Sequence, residues 1–192
     1  MKKTKCIHPL HRSFVAESLF NRKQVNYFTS FIAIFFILIS HHTVNATSLP
    51  QQLIKVGEGT MSWMFLDIYH ASLFTSTGKY NEQSHPQVLT INYLKNIKKN
   101  SLIEATEEQW LLHDVDEEKL KNWLQLLHQI WPDINKGDSL TFHVAENKEG
   151  YFYYNQELIG RIPNEDFCNA FLAIWLSEKT SQPKLRRQLL AL

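Results

Sequence analysis

From residue 54 onward the spacing of apolar side chains switches between a period near two and a period near 3.6, and each switch marks a change of element. Ile54 opens a strand-rich region, interrupted by Gly57 and Gly59. Its stretch Met61 to Phe74 is dense in Trp, Phe, Ile, Tyr and Leu, with Asp67 and His70 interspersed. The apolar residues there are more continuous than alternating, which predicts long strands covered in part on both faces. Thr75 to Pro86 is polar and carries Gly78 and Pro86, the composition of a loop. Val88 to Leu94 then alternates Val88, Thr90, Asn92 against Leu89, Ile91, Tyr93, as a half-buried strand does.

The period next becomes helical. Ser101-Leu102-Ile103-Glu104 has the form of a capping box opening a helix that runs to about His113. Asp116 is placed to cap a second helix, whose stripe Leu120, Trp123, Leu124, Leu127, His128, Trp131 is ended by Pro132. Ser139 to Ala145 and Tyr151 to Tyr154 read as a hairpin, and a turn at Asn155 leads into a further strand, Glu157 to Ile162. Asn164 can cap a helix with Phe167, Ala170, Phe171, Ile174 and Trp175 on one face, and a short helix follows Pro183. Strands, a helix pair, strands and a helix pair in segregated runs predict an α+β fold with an antiparallel sheet.

The N-terminus has a different character. Lys2, Lys3, Lys5, Arg12, Arg22 and Lys23 precede an uncharged apolar run from Phe28 to Ile39, followed by Val44-Asn45-Ala46. This is the pattern of a secretory signal peptide over residues 1–46, cleaved after Ala46 to leave a domain at 47–192 in the periplasm or outside the cell. The run would reach about 18 Å as a helix against a hydrocarbon core of roughly 30 Å. A membrane is therefore engaged only if the segment stays uncleaved as an anchor. Cleavage takes away six of the 20 basic and one of the 19 acidic side chains, leaving 14 against 18. Such a mildly acidic domain has no electrostatic footprint for nucleic acid. Of the two cysteines, Cys6 goes with the signal. Cys168 sits among apolar helix residues, so no internal disulfide forms and the thiol is expected to be buried and inert.

Tests for chemistry are mostly negative. Gly57-Glu58-Gly59 lacks the helix and the Lys-Ser pair of a phosphate loop, and no nucleophile elbow occurs. His113, Asp114 and Asp116 are the nearest thing to a metal cluster, but they lie at a helix junction where acidic residues act as caps. Neither a metal nor a cofactor is expected. What remains is the aromatic load, including Trp63, Tyr69, Tyr93, Trp110, Trp123, Trp131 and Trp175, which suits either an apolar pocket between sheet and helices or a filled core.

Several motifs carry a resemblance: Asp67-Ile68-Tyr69-His70-Ala71-Ser72-Leu73, the turn Pro132-Asp133-Ile134-Asn135-Lys136-Gly137-Asp138, Phe152-Tyr153-Tyr154-Asn155 leading to Ile159-Gly160, and the C-terminal run from Phe167 to Leu190. In this order the chain resembles a bacterial chalcone-isomerase-like protein. The resemblance implies an open-faced β-sandwich, a large antiparallel sheet covered by a layer of helices with the ligand cleft between them. The family contains true isomerases, which close a flavanone ring by adding a phenolate to an enone, together with fatty-acid-binding and noncatalytic members. The isomerases use an Arg and a Thr on the strands before the Ile-Tyr motif, then a Tyr and an Asn on the helix after the next strand. Counting from Tyr69 and Leu94 places the Thr position near Met64 and the Arg position near Thr60 or Met61. The Tyr position falls near Lys99 and the Asn position near Thr106.

No Arg occurs between Arg22 and Arg161, so the guanidinium that would stabilise an enolate is missing from those strands. Lys55 and Lys99 are the cations left to substitute, and a flexible ammonium does not reproduce the guanidinium's fixed fork. The reading is thus an exported protein of this fold without isomerase activity, binding a hydrophobic or fatty-acid-like molecule near Met64, Tyr69, Lys99 and Thr106. The alternatives are an intramolecular lyase or isomerase acting on a non-flavonoid substrate, with Thr106, Lys99 and Tyr69 or Tyr93 as its site groups, and a structural envelope protein with a filled core.

Overall fold

A computed structural model describes residues 52–192; the basic N-terminus, the apolar run and the expected cleavage site lie outside them. Six strands, β1 (Ile54–Trp63), β2 (Leu66–Thr75), β3 (Gln87–Tyr93), β4 (Ser139–Val144), β5 (Gly150–Tyr154) and β6 (Glu157–Ile162), pair in sequence order, every neighbour antiparallel. Between β3 and β4 run α1 (Lys99–Leu112) and α2 (Glu117–Ile130), and after β6 come α3 (Glu165–Leu176) and α4 (Pro183–Leu189). This is the expected α+β architecture, an open antiparallel sheet with helices layered on it.

The sheet's inner face supplies Leu73, Leu89, Ile91, Phe142 and Phe152 to one core, and the helices supply Trp110, Leu127, Phe167 and Phe171. Phe171 of α3 lies 4.7 Å, centroid to centroid, from Phe142 of β4 and 5.1 Å from Phe152 of β5, both edge-on, the geometry aromatic pairs prefer. Cys168 is fully buried beside them, and burial pushes its thiol up to about 12, so it stays protonated and unreactive.

Several local expectations change. Gly57 and Gly59 do not end β1, which continues past them with a register shift against β2 between Lys55 and Gly57; they let α4 approach, since a Cβ on Gly59 would lie 2.8 Å from a Leu185 methyl carbon. The apolar stretch from Met61 to Phe74 is broken by a two-residue hairpin turn at Met64 and Phe65, both with positive φ (46° and 70°). That backbone favours Asn-Gly, so the turn has no sequence signal. Its flanks Trp63 and Leu66 are exposed and Phe65 is fully exposed, while further along β2 Ala71, Ser72 and Leu73 are buried in succession, so part of the stretch is covered on both faces as expected. β3 is more buried than expected, because it is central: Val88, flanked by Phe74 and His143 on the outer face, is shielded as fully as Leu89 on the inner one.

The capping box at Ser101 does not form. α1 begins two residues earlier at Lys99, and its leading N–H is taken by Asp133, whose Oδ1 accepts from Lys99 N at 2.9 Å while Oδ2 accepts from Lys98 Nζ at 2.9 Å. A carboxylate from 34 positions away replaces the local cap. His128, placed by its spacing on the buried stripe of α2, is exposed. The other two caps form as read: Asn164 Oδ1 accepts from Phe167 N at 2.8 Å, and Asp116 Oδ1 accepts from Glu118 N and Lys119 N, both at 3.1 Å. Asp116→Ala should therefore lower stability by about 1 kcal/mol, read as an earlier urea midpoint with an unchanged slope. Loss below a few tenths would show that Glu117 and Glu118 suffice for that terminus.

Candidate functional site

Between the sheet and the helices lies a cavity of about 290 Å³, near the small end of the roughly 300–1,000 Å³ typical of ligand pockets. Its floor is the inner face near one end of the sheet, with Met61 of β1, Tyr69 of β2, Ile91 and Tyr93 of β3 and Leu140 of β4. Leu102, Ala105 and Thr106 of α1 form one wall, and Phe171, Ile174 and Trp175 of α3 another. Ala105 and Glu108 on α1 are exposed, marking an open side toward Ser181 and Gln182, where Ser181 Oγ donates to Gln109 Oε1 at 2.7 Å.

Among the described residues the one charged side chain in the lining is Glu108, on the exposed side of α1, and the other polar groups are uncharged. Tyr69 and Tyr93 are cross-strand partners with rings 6.0 Å apart and edge-on. Trp175 Nε1 donates to the Tyr69 hydroxyl oxygen at 2.9 Å. Burial pushes the Tyr69 hydroxyl up to about 12, opposed by that N–H, and burial beside Tyr69 raises Tyr93 as well, so both remain protonated at neutral pH. Thr106 Oγ1 donates back along its own helix to Leu102 O at 2.9 Å, so its proton is already committed. Trp131, just past the end of α2, also lines the cavity; its Nε1 is buried with no partner among the described residues.

Two of the four sequence-derived positions, Tyr69 and Thr106, are brought together in the cavity lining; Met64 and Lys99 are not. Met64 stands at the tip of the β1–β2 hairpin, 69% exposed, because the turn reverses the chain before the strand position that counting assigned to it. Met61, at the Arg position, is the β1 side chain in the lining, whereas Thr60 is directed to His70, its Oγ1 3.2 Å from Nδ1. Lys99 opens α1, with its ammonium donating to His128 O at 3.2 Å. Lys55, the other substitute cation, is paired with Glu58.

No lysine, arginine or histidine lines the cavity among the described residues. Arg161 is held by Glu149 at 2.6 and 3.0 Å, and Arg186 donates to Leu176 O at 2.8 Å. The isomerases' way of stabilising a negative oxygen, with a fixed guanidinium, has no counterpart here. Trp131 and Trp175 read from sequence as helix-stripe aromatics and as part of an aromatic load suited to a pocket or a filled core; both line the cavity. Their excess over a small sheet's needs was the signal.

The comparisons with known proteins agree with this geometry. A family profile described as chalcone isomerase-like matches residues 41–191. An uncharacterized protein of Haemophilus influenzae is 30% identical over 136 residues, 70% of this chain, and the match spans 66% of that relative's length. Among solved structures, the crystal structure of a fatty-acid binding protein of Arabidopsis thaliana superposes with a TM-score of 0.58 at 12% identity, covering 74% of this chain and 89% of that one. At that identity the likeness speaks for the fold alone. With the profile spanning the six strands and four helices of the described residues, this chain belongs to the chalcone isomerase-like family.

Proposed function

We propose that this protein holds a hydrophobic small molecule in the cavity between sheet and helices, without isomerase chemistry, and that it does so after export, in the periplasm or outside the cell. The observation that carries the reading is a cavity of about 290 Å³ lined mainly by aliphatic and aromatic side chains and lacking any cation among its described lining. A carrier needs apolar enclosure and a few orienting polar groups; an enolate-forming enzyme needs charge placed where charge develops. The fatty-acid binding activity named for the Arabidopsis neighbour supports the same kind of use for this fold. The lysines and the two arginines ahead of the apolar run at 28–39 support export. An open space of this size also weighs against a purely structural protein with a filled core.

The test is uptake of a neutral solvatochromic dye such as Nile red by purified domain 47–192, with mass spectrometry of any lipid that copurifies. Ala105 is small, exposed and part of the wall, so Ala105→Trp fills the cavity from its open side without touching the core. Dye affinity is expected to fall at least tenfold in that variant, with the melting temperature unchanged. Absence of both dye uptake and copurifying lipid in the parent protein would sink the proposal.

A further inference from the structure

We propose that the cavity selects an uncharged ligand that presents a hydrogen-bond acceptor, such as an ester, ketone or aldehyde oxygen on an apolar chain, and discriminates against the free carboxylate. This rests on the binding reading above and narrows its ligand class, in a direction that a fatty-acid binding neighbour does not suggest.

Three lining groups have a donor to spare and none carries charge. The Tyr69 oxygen accepts from Trp175 Nε1, which leaves the Tyr69 hydroxyl hydrogen without an acceptor among the described residues. Tyr93, 3% exposed, has its ring packed edge-on to Tyr69 and no hydrogen-bond partner for its hydroxyl among them either. Trp131, also 3% exposed, has its indole N–H buried and unpartnered. Buried donors without partners are uncommon, because each has lost water and gained nothing. An acceptor oxygen entering the cavity would meet these donors, of which the Trp131 N–H is already cut off from water, and its own loss of water would be offset by the bonds it makes. Thr106 does not compete for that role, since its proton is spent on Leu102 O.

The same lining has no counter-ion for a negative charge among the described residues. Its one ionisable carboxyl is Glu108, on the exposed side of α1, and no lysine, arginine or histidine accompanies it. A carboxylate drawn into this space would leave water without a counter-ion and approach Glu108, whereas a neutral carbonyl avoids both costs. A ligand of opposite charge gains little from Glu108, which faces solvent and is screened.

Displacement of Nile red at pH 8 by two probes of one chain length, methyl decanoate and decanoate, both below their aggregation concentrations, tests the idea. The ester is expected to displace dye at a concentration at least tenfold lower than the carboxylate. Tyr93→Phe removes a hydroxyl without a hydrogen-bond partner among the described residues, so the fold should persist by circular dichroism while the ester weakens severalfold and decanoate does not. Glu108→Lys, at an exposed position, should narrow the gap by improving decanoate. If decanoate competes as well as the ester or better, the inference is overturned and ligand binding stands. If the dye is never taken up and neither probe binds, both are overturned.

Discussion

Trp110→Ala is expected to lower the free energy of unfolding by about 4 kcal/mol, within the range measured when a large aromatic is removed from a packed core. Trp110 has no exposed surface and sits where three helices meet. Its ring is edge-on to Trp123 of α2 at 5.3 Å, and to Phe167 and Phe171 of α3 at 5.5 and 6.4 Å. Truncation to a methyl leaves a void bounded by rings that cannot all collapse inward, so dispersion contacts are lost on every side. The indole N–H also donates to Ala170 O at 3.1 Å. Its loss removes a buried bond worth about 1 kcal/mol more. Against a total of roughly 5–15 kcal/mol for a domain of this kind, the variant would be marginal. Urea denaturation is the measurement, with Trp110→Phe as the reference that keeps a ring and loses the donor. A loss below about 2 kcal/mol would mean that α1 and α3 close the gap by moving together. Because Thr106 lies one turn before Trp110 on α1, such a collapse would also register as a change in dye uptake.

Gly57→Ala should cost about 3 kcal/mol, the upper end of overpacking penalties, although it adds one methyl group to a strand. The reason is backbone against backbone. A Cβ at position 57 would sit 2.2 Å from Gln188 O, 2.7 Å from Leu189 O and 2.9 Å from the Leu189 carbonyl carbon. None of these atoms can rotate away as a side chain would, so the C-terminal end of α4 must lift from β1. Hydrogen exchange should show faster exchange in α4 and along β1, with β4 and β5 protected as before. Uniform acceleration across the sheet, or none, would contradict a local origin. Gly137 is the internal contrast: a Cβ there meets nothing within 4 Å, so alanine at that position is opposed only by its φ of +97°.

What could be read from sequence and what could not divide along physical lines. The helices and strands follow from periodicity, and the Asp116 and Asn164 caps from residue type within one turn, because these are local signals. The start of α1 was misplaced because its cap, Asp133, arrives through the fold. The hairpin at Met64 and Phe65 was invisible because neither residue is one that left-handed backbone favours. That single turn is also why Met64 was assigned to the site and stands outside it. A count along the chain assumes unbroken strand, and a reversal two residues long defeats it. Tyr69 was the landmark itself and lies in the cavity lining, as does Thr106, whereas Lys99, counted from the same Leu94, opens α1 and lies outside it. Trp131 and Trp175 were seen as helix-stripe residues. That they line a cavity depends on how α3 and the end of α2 sit over the sheet, which no local window contains.

The strict sequence order of the strands bears on how the molecule assembles. β1 to β3 and β4 to β6 are each joined by short connections, so each can form as a three-stranded ribbon at low loop-closure cost. The seam between β3 and β4 is different. It joins residues on either side of the whole α1–α2 excursion from Tyr93 to Ser139, and its outer face is stitched by the Thr90 and Thr141 hydroxyls at 3.1 Å. By loop-closure entropy this is the late step of sheet assembly, the one whose long-range contacts set the folding rate. Leu140, on that seam, is also a floor residue of the cavity. The binding space therefore comes into being only when the two ribbons meet, so neither half of the chain alone can carry it.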